Sequence, residues 1–320
     1  MAGEFKKVSQ AKKDLIRVFS HANNILREEG IREGIDRFTE FSYLLFLKLM
    51  SEIEADREFA GQKRQLDKKY CWESFCHKAP EEMIEYINSI VLTELAHKYN
   101  HEGEIFKTEL KIKNPENLKK IITKLSLLKL IDTESDVKGD AFEYFLKNSI
   151  SVGNDFGEYF TPCHIVRIII DLIDPRYNET IYDPCCGTGG FLLGAARYMH
   201  DKSNNMLAEH YAPREIMICG REISETANIA RMNMILMGDQ YTSISRLDSL
   251  KNPIENKFDI VLTNFPFSQK TKYAHYYSLL TKDANPVFLK HVINALKPGG
   301  RAGVVVPDGL LFDKNSECVK

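Results

Sequence analysis

Two segments of the sequence carry residues whose types and spacing could do chemistry on an amine. The first is Asn264-Phe265-Pro266-Phe267, which directly follows an apolar run. An amide oxygen and a backbone carbonyl can together accept both protons of an exocyclic NH2, and an aromatic ring can stack on a flat base. Asn264 and the carbonyl of Phe265 are the predicted acceptors, and Phe267 is the predicted stacking ring. This combination suits an amine that loses a proton while its nitrogen attacks a methyl group.

The second segment is a glycine-rich turn within Ile181-Tyr-Asp-Pro-Cys-Cys-Gly-Thr-Gly-Gly-Phe-Leu192. We expect a strand to end at Asp183 and the turn to open a helix. Glycines at 187, 189 and 190 let the backbone approach a ligand closely and adopt angles that a side chain would forbid. A dinucleotide pocket is the first alternative. However, Gly-x-Gly-Gly differs from the dinucleotide pattern, and an Asp-Pro before the turn is atypical of it.

Two acidic residues follow further predicted strands. Glu222 ends Ile218-Cys-Gly-Arg-Glu222, where its carboxylate could accept hydrogen bonds from the hydroxyls of a ribose. It lies 32 residues after Gly190, further than the ~20 typical of dinucleotide sites, which favours a nucleoside without a diphosphate. Asp248, in Arg246-Leu-Asp-Ser-Leu250, could accept from the amine of an adenine. Because Asp and Ser also cap helices, a structural role for Asp248 stays open.

The elements that must position these residues change in character near residue 150. After it, short β-branched runs alternate with helical segments, which predicts a parallel sheet with crossover helices. The predicted strands cover residues 180–183, 216–220, 242–247, 259–263 and 302–307. The turn-rich stretch 152–157 is the predicted hinge. The sequence therefore predicts an N-terminal helical domain, residues 1–150, and an α/β domain, residues 151–320.

Apolar residues before residue 150 recur mostly at helical spacing. Residues 38–50 are apolar nearly all round, which predicts a buried central helix. Further helices are predicted at residues 9–28, 80–98, 115–128 and 138–148. Lysines at 111, 113, 119, 120, 124 and 129 form a basic run. A solvated face is the ordinary interpretation of that run, and a contact to nucleic acid or an acidic partner is the alternative.

The composition excludes several classes of protein. No apolar stretch approaches the ~20 residues of a membrane helix, and residues 1–7 do not resemble a secretory signal, so we expect no membrane association and a cytoplasmic location. The seven cysteines suggest neither a disulfide framework nor a zinc site, and we predict no metal. A net charge of −2 argues against binding DNA by bulk electrostatics, so partners or a local patch would have to supply positive charge.

The motifs resemble those of one enzyme family. Asp183-Pro-Cys-Cys-Gly-Thr-Gly-Gly190 is similar to the first cofactor motif of amino-methyltransferases, and Asn264-Phe-Pro-Phe267 resembles their catalytic Asn-Pro-Pro-Phe/Tyr. Gly157-Glu-Tyr-Phe-Thr-Pro162 resembles the segment that closes over the methionine end of the cofactor. This motif order is similar to that of the gamma class of DNA methyltransferases. Ile31-Arg-Glu-Gly and Phe41-Ser-Tyr-Leu-Leu-Phe-Leu-Lys-Leu-Met-Ser-Glu52 resemble the helical domain of type I restriction-modification methylation subunits.

The resemblance implies a Rossmann-like, mostly parallel methyltransferase sheet that transfers a methyl group from S-adenosylmethionine to adenine N6 in DNA, without a metal or a covalent intermediate. It implies a catalytic role for Asn264, Phe265, Pro266 and Phe267. The implied cofactor contacts are Tyr159, Phe160, Thr161, Pro162, Asp183, Cys185, Gly187, Thr188, Gly189, Gly190, Phe191, Glu222, Ile223, Asp248 and Ser249. The implied partners are DNA, a separate specificity subunit, a motor-nuclease restriction subunit and a second methylation subunit.

Two departures from the family pattern matter. Phe265 stands where the family usually has proline, and it brings an N–H and a looser φ. The sequence ends at Lys320, 13 residues after the last predicted strand, whereas family members continue through two more strands and a C-terminal helical region. We therefore expect a C-terminally incomplete sheet. The rival hypotheses are protein or RNA amine methylation, a stand-alone DNA methyltransferase, a non-enzymatic interaction module and, least favoured, a nicotinamide dehydrogenase.

Overall fold

A computed structural model describes residues 2–31, 34–64, 66–99, 107–130, 161–203, 218–236 and 243–312. The chain forms two compact units, residues 1–156 and 157–320. The predicted hinge at 152–157 and the predicted helix at 138–148 lie outside the described residues. No helix in the described ranges is long and apolar enough to cross a membrane.

The first unit is helical. Its helices are α1 (Ala2–Glu28), α2 (Gly34–Phe59), α3 (Pro80–Tyr86), α4 (Thr93–Tyr99) and α5 (Pro115–Ser126), with a π-helical segment at Ile87–Leu92 that joins α3 to α4 and short 3-10 turns at Lys68–Tyr70 and Trp72–Ser74. The predicted helix at 80–98 is thus confirmed, although one turn of it is wider than an α-helix. Helix α5 is capped by Asn114, whose side chain accepts from the amide of Glu116 (3.0 Å).

Helix α2 is the buried centre of this unit, as its all-round apolar pattern predicts. Phe41, Leu44 and Phe46 are almost completely buried. The same helix buries Glu40, whose Oε1 accepts from the backbone N–H groups of Lys111 (2.5 Å) and Ile112 (3.3 Å). Burial raises the pKa of Glu40. The carboxyl group therefore fixes the segment that leads into α5.

The lysine run at 111–129 has mostly internal partners. Lys111 forms an ion pair with Asp36 (2.8 Å), and Lys119 donates to the carbonyls of Cys76 (3.0 Å) and Lys78 (2.8 Å). A lysine that is held by its own domain has less positive charge to offer a ligand. These contacts favour the ordinary interpretation of the run over a nucleic-acid contact.

The second unit is an α/β domain. Its elements are α6 (Cys163–Ile173), β1 (Ile181–Asp183), α7 (Gly190–Ser203), β2 (Ile218–Glu222), α8 (Thr226–Leu236), β3 (Ser243–Arg246), β4 (Phe258–Asn264), a 3-10 turn (Ala274–Tyr277), α9 (Ala284–Ala295), β5 (Leu296–Val305) and α10 (Asp308–Phe312). The five strands within the described residues are all parallel, in the order β3-β2-β1-β4-β5. The predicted fold class is confirmed.

The central strands are short and buried on both faces, as crossover helices require. Ile181, Ile260 and Leu262 are fully buried, and they pack with Leu192 and Ala195 of α7. Glycine lets helix α6 approach β5 closely: a Cβ added at Gly303 would lie 2.4 Å from Ile169 Cγ2. The core lies directly under the strand ends and keeps them in place.

Strand β5 differs from the prediction of 302–307, because it begins at Leu296 and ends at Val305. The Lys-Pro-Gly-Gly sequence at 297–300 has the composition of a turn, yet it continues the strand with Gly299 at a φ of +81°. A shift in the pairing accommodates it, because Leu296 pairs with Phe258 while Arg301 pairs with Ile260. Glycine at position 299 permits this conformation, in which a side chain would be strained.

Candidate functional site

The polar residues that end the strands lie at one edge of the sheet. Asp183 ends β1, Glu222 ends β2, Asn264 ends β4, and Asp248 follows β3 by two residues. All strands run in the same direction, so these residues share the carboxyl edge. Strand β1 lies between β2 and β4, which is the point where the order of the strands reverses and where α/β sheets open a ligand crevice.

The glycine-rich turn adopts the predicted backbone. Gly187 and Gly189 have φ values of +53° and +87°, which side chains rarely adopt. A Cβ at Gly189 would lie 3.3 Å from the Cβ of Ala230, so the turn packs tightly against α8. Gly190 opens α7, with open space where its Cβ would be. The turn therefore presents backbone at the carboxyl edge beside the N-terminus of a helix.

Glu222 connects this turn to the end of β2. Its Oε2 accepts from Gly187 N (3.1 Å), and its Oε1 accepts from Ser224 N (2.8 Å). A carboxylate has about four acceptor positions, so two remain for ligand hydroxyls. The next residue, Ile223, is 65% exposed although it is apolar. Together the two side chains offer acceptors and an apolar surface at one place.

Asp183 is buried at the end of β1, where its Oδ1 accepts from Cys185 N (2.9 Å). Burial raises the pKa of Asp183 to about 7, and the negative charge of Glu222 acts in the same direction. The carboxyl group therefore holds its proton much more strongly than an exposed aspartate does. A cation bound nearby would favour its charged form.

The Asp248-Ser249 pair takes part in local structure. Asp248 Oδ1 accepts from the amides of Leu250 (2.9 Å) and Lys251 (3.3 Å), so Oδ2 is the oxygen that a ligand amine would reach. Ser249 is buried, and its hydroxyl donates to the carbonyl of Pro184 (2.7 Å). Asp248 therefore has a structural role, as the sequence left open, but it stabilises a turn at residues 249–251 and not the start of a helix. Ser249 therefore links the loop after β3 to the loop after β1 inside the protein.

Asn264 has an incomplete set of hydrogen bonds. Its Nδ2 donates to Thr161 Oγ1 (3.1 Å), which fixes the side-chain amide. Its Oδ1 is buried and has no hydrogen-bond partner among the residues that the structure describes. A buried acceptor without a partner costs roughly 1–3 kcal/mol, so its persistence needs an explanation. A ligand with an N–H donor would supply the missing bond.

The aromatic residues after Asn264 face different surroundings. Phe265 is buried and stacks on Phe288 of α9, with ring centroids 5.2 Å apart and an interplanar angle of 10°. The residue that replaces the usual proline therefore fills the core. Pro266 and Phe267 are only half-buried, and the Phe267 ring meets Phe265 edge-on at 5.8 Å. Phe267 has partly exposed surface on which a base could stack.

The other predicted cofactor residues occupy varied positions. Thr161 contacts Asn264, and Pro162 directly precedes α6. The carbonyl of Thr188 accepts from Asn233 Nδ2 (3.0 Å), while Phe191 is buried in the core. Cys185 is half-buried, and burial raises its thiol pKa. Tyr159 and Phe160 lie outside the described residues.

Sequence reasoning missed a buried polar cluster next to these loops. His291 of α9 is fully buried, with Nε2 at 3.0 Å from the hydroxyl of Tyr182 and Nδ1 at 2.8 Å from that of Tyr277. The Tyr277 hydroxyl also reaches the carbonyl of Leu250 (3.1 Å). Burial lowers the pKa of His291 to about 4, so the ring is neutral at pH 7. More than a hundred residues separate Tyr182 from His291, and no local pattern connects them.

The fold and the site together define a methyltransferase-type sheet with a glycine-rich turn and an Asn-x-Pro-Phe segment at its carboxyl edge. The model of the N-6 DNA methylase family matches residues 133–319, more than half of the chain. The chain belongs to the N-6 DNA methylase family.

Individual relatives agree with this assignment. The chain is similar to the type I restriction enzyme EcoEI methylase subunit of Escherichia coli, with 29% identity over 325 residues. The match covers 92% of this chain and 65% of the E. coli protein, so the chain spans less than two thirds of that relative.

Solved structures share the fold. One matching structure comes from work on the complex assembly and conformational transition of the type I R-M system. It matches with a TM-score of 0.61 and 26% identity, over 92% of this chain and 65% of that chain. The type I methyltransferase subunit from Streptococcus thermophilus matches with a TM-score of 0.61 and 20% identity, over 96% of this chain and 77% of that chain.

Proposed function

We propose that this chain transfers a methyl group from S-adenosylmethionine to N6 of adenine in DNA, as part of the modification subunit of a type I restriction-modification complex. The observation that carries the proposal is the buried Oδ1 of Asn264, which has no partner among the described residues and lies at the carboxyl edge of the sheet. An exocyclic amine supplies the donor that this oxygen lacks. Membership of the N-6 DNA methylase family supports the same target atom.

The residues at the edge fit the chemical groups of S-adenosylmethionine. Glu222 would accept from the ribose hydroxyls, because its two oxygens keep free acceptor positions beyond their backbone bonds. Ile223 would pack on the adenine of the cofactor, and Asp248 would accept from its amine. Gly187, Thr188, Gly189 and Gly190 would line the pocket with backbone, beside Cys185 and Asp183. When bound, the cofactor supplies an electrophilic methyl group on a positively charged sulfur.

Phe191 and Ser249 would support the pocket from inside the protein and would not contact the cofactor directly. Phe191 is buried at the start of α7, and the hydroxyl of Ser249 already donates a hydrogen bond to the Pro184 carbonyl. The methionine end of the cofactor is assigned to Thr161 and Pro162 together with Tyr159 and Phe160. Thr161 would contribute to binding of both the cofactor and the target adenine, because it already holds the amide of Asn264 in place.

The protein's own contribution is to orient the amine. Asn264 Oδ1 and the carbonyl of Phe265 would accept hydrogen bonds from the two N6–H groups, which directs the nitrogen lone pair toward the methyl group. Pro266 stiffens the turn, and Phe267 would stack on the ring of the adenine after it leaves the helix. The cofactor would supply the methyl group and keep the electron pair of the broken bond on its sulfur, while N6 would give up one of its two protons to solvent. Positioning and polarisation of the amine account for catalysis, and this mechanism requires no metal.

The assembly is also proposed from the relatives. The E. coli relative is a methylase subunit of a type I restriction enzyme, and one matching structure was determined to explain complex assembly of the type I R-M system. By analogy, a separate specificity subunit would choose the DNA sequence, a restriction subunit would cleave, and two methylation subunits would act in one complex. The complex would work in the cytoplasm.

Methyl transfer from radiolabelled S-adenosylmethionine to unmethylated DNA tests the proposal, using the full-length protein with its specificity subunit. We expect N6-methyladenine in the DNA digest and a loss of at least ~100-fold for Asn264→Ala, because an acceptor at the reacting amine acts mainly in the transition state. Asp259→Asn, at the opposite edge of the sheet, is the matched control and should keep near-normal activity. Label found only on protein or RNA, or full activity of Asn264→Ala, would contradict the proposal.

A further inference from the structure

The segment directly after the Asn-Phe-Pro-Phe motif forms a closed loop, residues 268–283. At its base, Thr271 N donates to the carbonyl of Lys282 (2.8 Å). In its middle, Tyr277 is buried and its hydroxyl reaches the carbonyl of Leu250 (3.1 Å). The loop is therefore closed at its base and tied to the rest of its unit through Tyr277, and its outer side chains project from a defined backbone.

The exposed charge of the 268–283 loop is positive. Lys270, Lys272 and Lys282 are exposed, and the ion pairs found among the described residues include none of the three. The one acidic residue in the loop sequence, Asp283, caps α9 by accepting from Asn285 N (3.0 Å). The whole chain has a net charge of −2, so this concentration of positive charge is local. Such a patch attracts a polyanion.

The same loop exposes apolar and aromatic surface between its cations. Leu280 is 99% exposed and Tyr276 is 51% exposed. The rings of Tyr273 and Tyr276 are stacked, with centroids 6.0 Å apart and an interplanar angle of 6°. Exposed apolar side chains next to cations suit a nucleic-acid strand, which combines a charged backbone with flat bases.

We propose that the 268–283 loop is a DNA-binding element, in which Lys270, Lys272 and Lys282 contact backbone phosphates next to the target adenine and Leu280 contacts its neighbouring bases. This inference rests on the proposed function. Lys270 follows Asn264 by six residues, so the chain can separate them by no more than ~20 Å. One DNA strand carries a phosphate about every 3.4 Å, so several phosphates lie within that reach of a base held at Asn264.

The test measures binding of a fluorescent duplex by the full-length protein at several salt concentrations. The triple variant Lys270→Gln/Lys272→Gln/Lys282→Gln should reduce the slope of log K against log salt by roughly 3, at about 0.9 per lost phosphate contact. Its affinity for S-adenosylmethionine, measured by calorimetry, should not change. The matched control, Arg176→Gln/Lys202→Gln/Lys257→Gln, removes the same charge from the opposite edge and should leave the slope unchanged. Leu280→Ser should weaken binding without changing the slope.

Each remaining outcome decides between hypotheses. If the wild-type protein methylates DNA but the triple variant keeps the full salt slope, the loop proposal is wrong and the proposed function stands. If the variant instead loses its specificity subunit in size-exclusion chromatography while its DNA affinity is kept, the loop is a protein-docking surface. If the wild-type protein neither binds nor methylates DNA, both proposals fail together.

Discussion

The two edges of the sheet in the second unit differ in how far the protein satisfies the hydrogen bonds and charges of their polar groups. At the amino edge, Asp259 Oδ2 accepts from Lys297 Nζ (2.7 Å) and Thr180 N (2.8 Å). Arg301 forms two bonds to the carboxylate of Glu179, at 2.6 and 2.8 Å. Burial would raise the pKa of Asp259, but the bonds from Lys297 and Thr180 outweigh it and hold that pKa at about 2. The charges at this edge are satisfied by the protein itself.

The carboxyl edge leaves comparable groups unsatisfied. Asn264 Oδ1 is buried without a partner among the described residues, burial raises the pKa of Asp183 to about 7, and Ile223 exposes its apolar side chain. Each of these features costs free energy in the unliganded protein. The same core supports both edges, so the difference indicates which edge stabilises the fold and which is prepared for a ligand. Substitutions at the two edges should therefore separate stability from binding.

The largest effect on cofactor affinity is expected for Glu222→Gln. The substitution replaces one acceptor oxygen with an NH2 group, which would face an N–H donor at Gly187 or Ser224. We expect affinity for S-adenosylmethionine to fall by roughly 10- to 100-fold, as for loss of a charged hydrogen bond of ~1.5–3 kcal/mol. Calorimetric titration measures it. Glu179→Gln is the matched control at the amino edge, and equal affinities for the two variants would remove the contrast between the edges.

The next effect is a pH dependence of cofactor affinity, which we assign to Asp183. Its pKa in the unliganded protein, about 7, lies above the ordinary value of 3.8, so the group binds a proton more strongly when folded. The stability that it contributes is present below pH ~4 and is lost as the pH rises through ~7. A cationic cofactor favours the ionised form, so binding should release a proton and weaken as the pH falls below ~7, by up to ~10-fold per pH unit.

Calorimetry at pH values of about 6, 7 and 8, in buffers with different ionisation enthalpies, would detect this proton release. Asp183→Asn should abolish the release and flatten the pH profile of affinity. Asp259→Asn should leave both unchanged, since the pKa of Asp259 is far below this range, at about 2. Proton release that persists in Asp183→Asn would assign the titration to another group.

The sequence predicted the parts of the site that depend on local pattern. A buried run followed by Asp183, Glu222 or Asn264 is visible in a short window, and the glycines of the turn have a steric signature. The predicted start of β5 at residue 302 is wrong, because Pro298 and Gly299 have turn composition while pairing with β4 decides the conformation. Tertiary contact overrides local propensity there.

Contacts between distant parts of the chain could not be predicted in this way. The bond from Asn264 to Thr161 spans 103 residues, and the Tyr182–His291 contact spans 109. The inward direction of Phe265 also depends on a partner, Phe288, that only the folded sheet brings near. Thus the identity of the candidate site residues follows from sequence, but the incomplete bonding of Asn264 requires the structure.

The smallest effect, and the converse of the first, is expected for Arg301→Gln at the amino edge. Arg301 Nε donates to the carbonyl of Ile173 (2.7 Å) and Nη2 to that of Asp174 (2.8 Å), in addition to the pair with Glu179. The side chain is partly exposed, so solvent screening limits the loss to about 1–2 kcal/mol of unfolding free energy, measured by urea denaturation. The hydrogen bond from Arg301 lowers the pKa of Glu179, so this contribution is present above pH ~4.5 and fades in acid. Cofactor affinity should stay within about twofold of wild type, corresponding to ~0.4 kcal/mol. A larger loss of affinity would mean that the amino edge also positions the ligand, and that stability and binding are not divided between the two edges.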